Sequence, residues 1–297
     1  AWSIATGSKR SRAMSAVSPL DTVRTVSDLR ARIAAWRAEG LRVGLVPTMG
    51  ALHDGHISLV KNSVADCDKT VVTLFVNPAQ FGEGEDFGVY PRNEARDAEM
   101  VQVEGADLLF APGVEEVYPE GHSTKVHVGG LGDILEGEYR PGFFTGVATV
   151  VTKLLLQSLP DEAYFGEKDF QQLQVIKKLI RDLDIPVTAT GVKTVREADG
   201  LALSSRNAYL TPEERAQAPV LHGTISQVAE QVGRGENPRD LEEWAKGQLE
   251  RGGFWQVDYV TVRDATTLAE AADASRPARV LAAAWLGKAR LIDNVPV

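Results

Sequence analysis

Up to about residue 194 the chain alternates short apolar runs with longer stretches of helical period. That alternation narrows the possible folds to a parallel sheet covered by helices. Residues 42–46, 70–76, 107–110, 162–165 and 187–192 read as strands, and 57–67, 93–104, 147–159 and 171–183 as helices, with Pro160 and Pro186 as stops. The fold class expected is therefore α/β, a doubly wound and mostly parallel sheet. Ligands of such sheets sit beyond the carboxyl ends of the strands, where the motif-rich loops of this chain fall. After residue 194 the texture changes to two helical segments, 212–233 and 238–251, joined by a Gly-Arg-Gly-Glu-Asn-Pro turn. Three strands follow, at 256–263, 279–286 and 289–292, with a hairpin at Gly287-Lys288 and a short Ala-rich helix at 268–274. The reading divides the chain into an extension at 1–15, disordered or left over from expression, a larger α/β domain at 16–194 and a smaller α+β domain at 195–297.

Composition excludes several classes of function. A formal net charge of −9 argues against wrapping around nucleic acid, which demands a broad basic face. No apolar stretch approaches the roughly 20 residues that span a bilayer, and the N-terminus lacks the apolar core of a secretory signal. The single cysteine, Cys67, allows no internal disulfide framework and fits a reducing compartment, so a cytoplasmic protein is expected.

Residues 47–56 read Pro-Thr-Met-Gly-Ala-Leu-His-Asp-Gly-His and lie between a strand and a helix. The first N–H groups of a helix lack internal partners and the dipole is positive there. Gly50 and Gly55 allow close approach, so His53 and His56 stand at a corner suited to polyphosphate. No Glu or Cys nearby completes a zinc ligand set, and no metal ligands are assigned in the protein. Residues 75–81, Phe-Val-Asn-Pro-Ala-Gln-Phe, present Asn77 and Gln80, amides able to donate to and accept from a hydroxyl or carboxylate. Residues 165–172 again leave a strand and open a helix, offering Gly166, the compact charge of Lys168, Asp169 and Gln172. Residues 194–207 put Ser204, Ser205 and Arg206 in an expected mobile loop at the domain junction, groups suited to a leaving pyrophosphate.

The decapeptide resembles the HxGH signature of nucleotidyltransferases. The four motifs together, with a fainter echo in Leu-Ile-Asp-Asn at 291–294, resemble the pantothenate synthetase (pantoate–β-alanine ligase) family over residues 42–210. The resemblance implies a Rossmann-like sheet of the nucleotidyltransferase type and condensation of pantoate with β-alanine through a pantoyl adenylate. Another HxGH adenylyltransferase or a synthetase-like enzyme is the alternative. By the same resemblance His56 is the acid, with His53 beside it on the phosphates, and Lys168, Ser204, Ser205 and Arg206 contact phosphate. Met49, Gly50, Gly55, Gly166, Asp169, Val195 and Leu203 contact ATP, and Gln80 and Gln172 bind pantoate, with Asn77 and Tyr90 as further candidates. Mg²⁺ is expected on the ATP phosphates with few or no protein ligands, and a homodimer through the larger domain. Leu203 stands where many relatives carry Met, a volume-conserving change, and Phe143 where they often carry His.

Overall fold

The computed structural model describes residues 20–82, 86–88, 90 and 92–297, so the extension expected at 1–15 lies outside the described residues. The chain opens with strand β1 (Asp21–Val23), helix α1 (Val26–Ala38), β2 (Val43–Thr48), α2 (Asp54–Asp66) and β3 (Lys69–Leu74). It continues through α3 (Glu94–Val103), β4 (Leu108–Phe110), the short α4 (Val114–Val117) and α5 (Glu136–Tyr139), α6 (Phe143–Ser158), β5 (Glu162–Gly166), α7 (Phe170–Asp182) and β6 (Thr188–Val192). These six strands form one all-parallel sheet in the order β1-β4-β3-β2-β5-β6. From β2 the chain winds outward through β3 and β4, then returns to lay β5 and β6 on the other side. Winding thus reverses between β2 and β5, the crevice where such sheets bind ligands.

Period-two alternation sets which residues face which layer. Val43, Leu45, Val71, Leu108, Phe110, Ala163 and Phe165 face the layer of α1, α6 and α7. Val46, Val72, Leu109 and Tyr164 face Ile57 and Val60 of α2 and Val101 of α3. Because both faces are covered, the strands read as continuous apolar runs.

The remainder comprises α8 (Pro212–Gln217), α9 (Val220–Gly233), α10 (Pro238–Arg251), β7 (Gln256–Asp264), β8 (Ala278–Leu286) and β9 (Ala289–Pro296), with β7-β8-β9 an antiparallel sheet. Leu221, Ile225, Val228 and Val232 of α9 and Leu241, Ala245 and Leu249 of α10 form a stripe on each helix that packs against this sheet in a core of its own.

Three expectations are corrected. The helix at 212–233 is two helices, because Pro219 lacks the N–H that a continuous helix requires there. The helix at 268–274 does not form: Leu268 takes a left-handed φ of 57°, and Glu270 instead bridges to Arg263. The last strand runs beyond 292 to Pro296. The sequence reading also passed over β1 and α1. The three-residue β1 carries too little pattern, while α1 was marked by Thr25, whose side chain accepts from the Asp28 N–H as an N-cap.

Candidate active site

The segment after β2 is the most tightly constrained part of the site. Gly50 and Ala51 both adopt left-handed backbone, with φ of 88° and 53°. For Ala51 this costs about 1–2 kcal/mol, so something must hold it. Asp97 on α3, 1% exposed, does so: its two carboxylate oxygens accept the N–H groups of Ala51 (2.9 Å) and Leu52 (3.0 Å). Sequence reading missed Asp97, because it lies 46 residues from the bend it supports and sits inside an ordinary helical pattern.

His53 is the N-cap of α2, and its Nδ1 accepts the Gly55 N–H (3.1 Å). His56 Nδ1 accepts the His53 N–H (3.4 Å), closing a capping box built from two imidazoles 4.2 Å apart. A ring nitrogen that accepts carries no hydrogen, so each neutral imidazole bears its proton on Nε2. Burial pushes the His56 pKa down to about 3, aided by His53 and Lys168. Burial and then Lys168 lower His53 as well. Gly55 is required between them, since a Cβ there would lie 2.7 Å from the His53 ring.

The His56 shift has a consequence for stability. Between the unfolded imidazole pKa of about 6.5 and the folded value, the unfolded chain binds the extra proton. Stability from this group is therefore present above pH 6.5 and lost as pH falls toward the folded value, with a slope approaching about 1.4 kcal/mol per pH unit. Denaturant melts of wild type and His56→Gln between pH 7 and pH 4.5 should converge on acidification; parallel curves would contradict the shift.

Beside this corner, the 3₁₀ turn Pro78–Gln80 follows β3. Asn77 is fully buried and its amide is committed within the protein. Its Nδ2 donates to Gln80 Oε1 (3.0 Å) and the Gly146 carbonyl (3.2 Å), while its Oδ1 accepts from Ala79 N–H (3.2 Å) and Tyr118 hydroxyl (2.7 Å). Asn77 thus aims Gln80, whose Nε2 contacts Met49 Sδ at 3.0 Å. The start of α6 presses on the same turn: a Cβ at Gly146 would sit 2.1 Å from the Ala79 carbonyl oxygen.

From β5 the chain enters the 3₁₀ turn Glu167–Asp169, which carries Lys168, and then α7, which carries Gln172. Residues 194–207, expected as a mobile loop, form a tight hairpin. Arg196 bridges Ala202, the Glu197 N–H donates to Leu201 (2.8 Å), and Gly200 turns at φ 93°. Ser204 then caps the 3₁₀ turn Ser205–Tyr209 through the Arg206 N–H.

One cavity of about 770 Å³ gathers Met49, His53, Gly55, His56, Asn77, Gln80, Tyr90, Gly166, Lys168, Asp169, Gln172, Val195, Leu203, Ser204, Ser205 and Arg206. Of the expected site residues, Gly50 alone is not in its wall; it shapes the bend behind. At the far end, Arg290 of β9 binds Asp258 of β7 (2.6 Å) and Glu136 of α5 (2.7 Å), and Tyr259 donates to Glu136 (2.8 Å), tying the second sheet to the first unit. Burial and Glu136 raise the Tyr259 hydroxyl well above its usual pKa, so it stays a donor.

A helix N-terminus with imidazole caps, set at the switch point of a doubly wound sheet and covered by a second unit, defines an enzyme that handles nucleotide phosphates. Comparison with known proteins gives the particular group. The family model described as pantoate-beta-alanine ligase matches residues 21–296, and the chain belongs to that family. It is 58% identical over 275 residues to the pantothenate synthetase of Paramagnetospirillum magneticum, covering 93% of this chain and 97% of that one. It is 53% identical to that of Rhodospirillum rubrum, over 94% and 99%. The crystal structure of pantothenate synthetase from Thermus thermophilus superposes with a TM-score of 0.87 at 47% identity, covering 93% and 99%. The Francisella tularensis pantoate-beta-alanine ligase, solved in complex with beta-gamma ATP and beta-alanine, superposes with 0.79 at 31% identity, covering 93% and 97%. As a family member the chain is a ligase that joins pantoate to β-alanine.

Proposed function

We propose that this chain makes pantothenate in two steps within the one cavity. A pantoate carboxylate oxygen attacks the α-phosphorus of ATP and the bond to the β-phosphate breaks, releasing pyrophosphate. The β-alanine amine then attacks the acyl carbon of the pantoyl adenylate, the bond to AMP breaks, and the amine proton passes to solvent. The observation that supports this most is the convergence of four separated segments on one cavity, each with the chemistry its step needs. Phosphoryl-type transfer depends mostly on positioning and on donors aimed at developing charge.

In this reading the phosphates lie against the N-terminus of α2, with Lys168 on one side and Ser204, Ser205 and Arg206 on the other. Burial keeps His56 neutral at neutral pH, so it offers the phosphate an Nε2–H donor from the position the family resemblance gives to the acid. Met49, Gly55, Gly166, Asp169, Val195 and Leu203 form the nucleotide wall. Gln80 and Gln172 take the pantoate oxygens, with Tyr90 closing that end. Mg²⁺ rides on the nucleotide phosphates. Its ligands in this reading are substrate oxygens and water, with few or none from the protein. Residues 195–297 serve as a lid domain, and the working form is a cytoplasmic homodimer. Among the described residues no helix is long and apolar enough to cross a membrane.

Incubation with ATP and pantoate should release pyrophosphate, and AMP should accumulate only when β-alanine is added. AMP formation independent of pantoate would point to another acceptor and overturn the reading. Gln80→Ala is expected to weaken pantoate by about 10–100-fold, the range for a lost hydrogen bond to a charged group. ATP affinity should change little, and equal weakening of both in calorimetric titrations would refute the pantoate role.

A further inference from the structure

Adjacent residues of β9 grip both phosphate-facing segments at once. Asp293 and Asn294 are each 4% exposed. The Asn294 Nδ2 donates to the carbonyls of Glu167 and Lys168, both at 2.9 Å, and so pins the turn that carries Lys168. Its Oδ1 has no hydrogen-bond partner among the described residues, and the amide orientation is fixed because the opposite one would set oxygen against two carbonyl oxygens. Arg279 reinforces the same turn through Glu167 (3.0 Å). Asp293 accepts both arms of Arg196, at 2.7 and 2.9 Å, and Arg196 Nη1 donates onward to the Gly200 carbonyl (3.0 Å) within the hairpin that leads to Ser204. One dipeptide of the second sheet thus determines the separation between the Lys168 turn and the segment 204–206.

We propose that Asp293 and Asn294 are positioning residues for the adenylation step, acting through Lys168 and the 204–206 segment by holding the two at a fixed spacing. This rests on the phosphate role given above to Lys168. Angular and distance errors near 1 Å at a reacting centre cost about 10²-fold, so loosening the pin should be felt in kcat rather than in pantoate affinity.

The test is a double-mutant cycle on pantoate-dependent pyrophosphate release, using the whole chain and Asn294→Ala, Lys168→Ala and the pair. Asn294→Ala alone is expected to lower kcat by about 10- to 100-fold with pantoate KM nearly unchanged, and to cost less than about threefold once Lys168 is gone. Asn294→Asp, of the same shape but with an oxygen facing the two carbonyls, should be no better than alanine. If the alanine variant melts below the assay temperature, Asn294→Ser, which keeps a short donor, carries the same cycle. Full multiplicativity of the two losses, or a loss confined to pantoate KM, would overturn the proposal. Should Lys168→Ala itself release pyrophosphate normally, the phosphate role of Lys168 fails instead, and the cycle distinguishes the two failures.

Discussion

Lys168→Ala is expected to slow pantoate-dependent pyrophosphate release by about 10²–10³-fold, the loss that follows removal of one well-aimed donor to developing charge. The Lys168 side chain lines the cavity and has no hydrogen bond or ion pair among the described residues, so its removal leaves no buried partner unpaired. The thermal melt should therefore stay at the wild-type value. His56→Ala should slow the same step comparably, since it removes the Nε2–H, and it should cost some stability because the capping box loses one acceptor. Near-normal release by both variants, with unchanged melts, would show that the charge on the phosphates is met elsewhere.

Asp97→Ala should damage fold and function together. The carboxylate is the acceptor for two N–H groups on a bend that includes a left-handed alanine, and each orphaned donor costs about 1–3 kcal/mol. A loss of about 2–5 kcal/mol is expected, seen as a shift of the denaturant midpoint without a change in slope. Nucleotide affinity, measured well below the melting temperature, should fall further than the stability loss alone explains, because the bend sets the direction in which His53 and α2 face the cavity. Wild-type nucleotide affinity in a destabilised variant would mean that the bend keeps its shape without Asp97.

How much of this was legible in the sequence depended on the range of the interaction. The five strands of the large sheet that were read, and the helices between them, appeared within a few residues of their true bounds, because period and caps are local. The capping histidines and Lys168 were legible for the same reason, each lying just past a strand of the large sheet, and the 204–206 segment through its run of hydroxyls and a guanidinium. Not legible were contacts with remote partners: Asp97 supporting Ala51, the hold of Asn294 on the Lys168 turn although the Leu-Ile-Asp-Asn segment itself stood out, and Arg196 paired with Asp293 across 97 positions. The hairpin within 194–207 was not legible for a related reason. Its order comes from Arg196 and β9, and its own composition is that of any polar loop. Asn77, read as a possible substrate contact, has its hydrogen-bonding capacity committed inside the protein, which only the buried carbonyl of Gly146 and the hydroxyl of Tyr118 reveal.

The helix that meets the Asn77–Gln80 turn at Gly146 leaves no room for a side chain between two stretches of main chain. That contact lies behind the cavity, whose wall beside it is drawn from Asn77, Gln80, Phe143, Phe144 and Val147. A methyl added at position 146 would push α6 off the turn that carries Gln80, so any reshaping of this part of the cavity has to pass through its lining side chains and leave that glycine untouched.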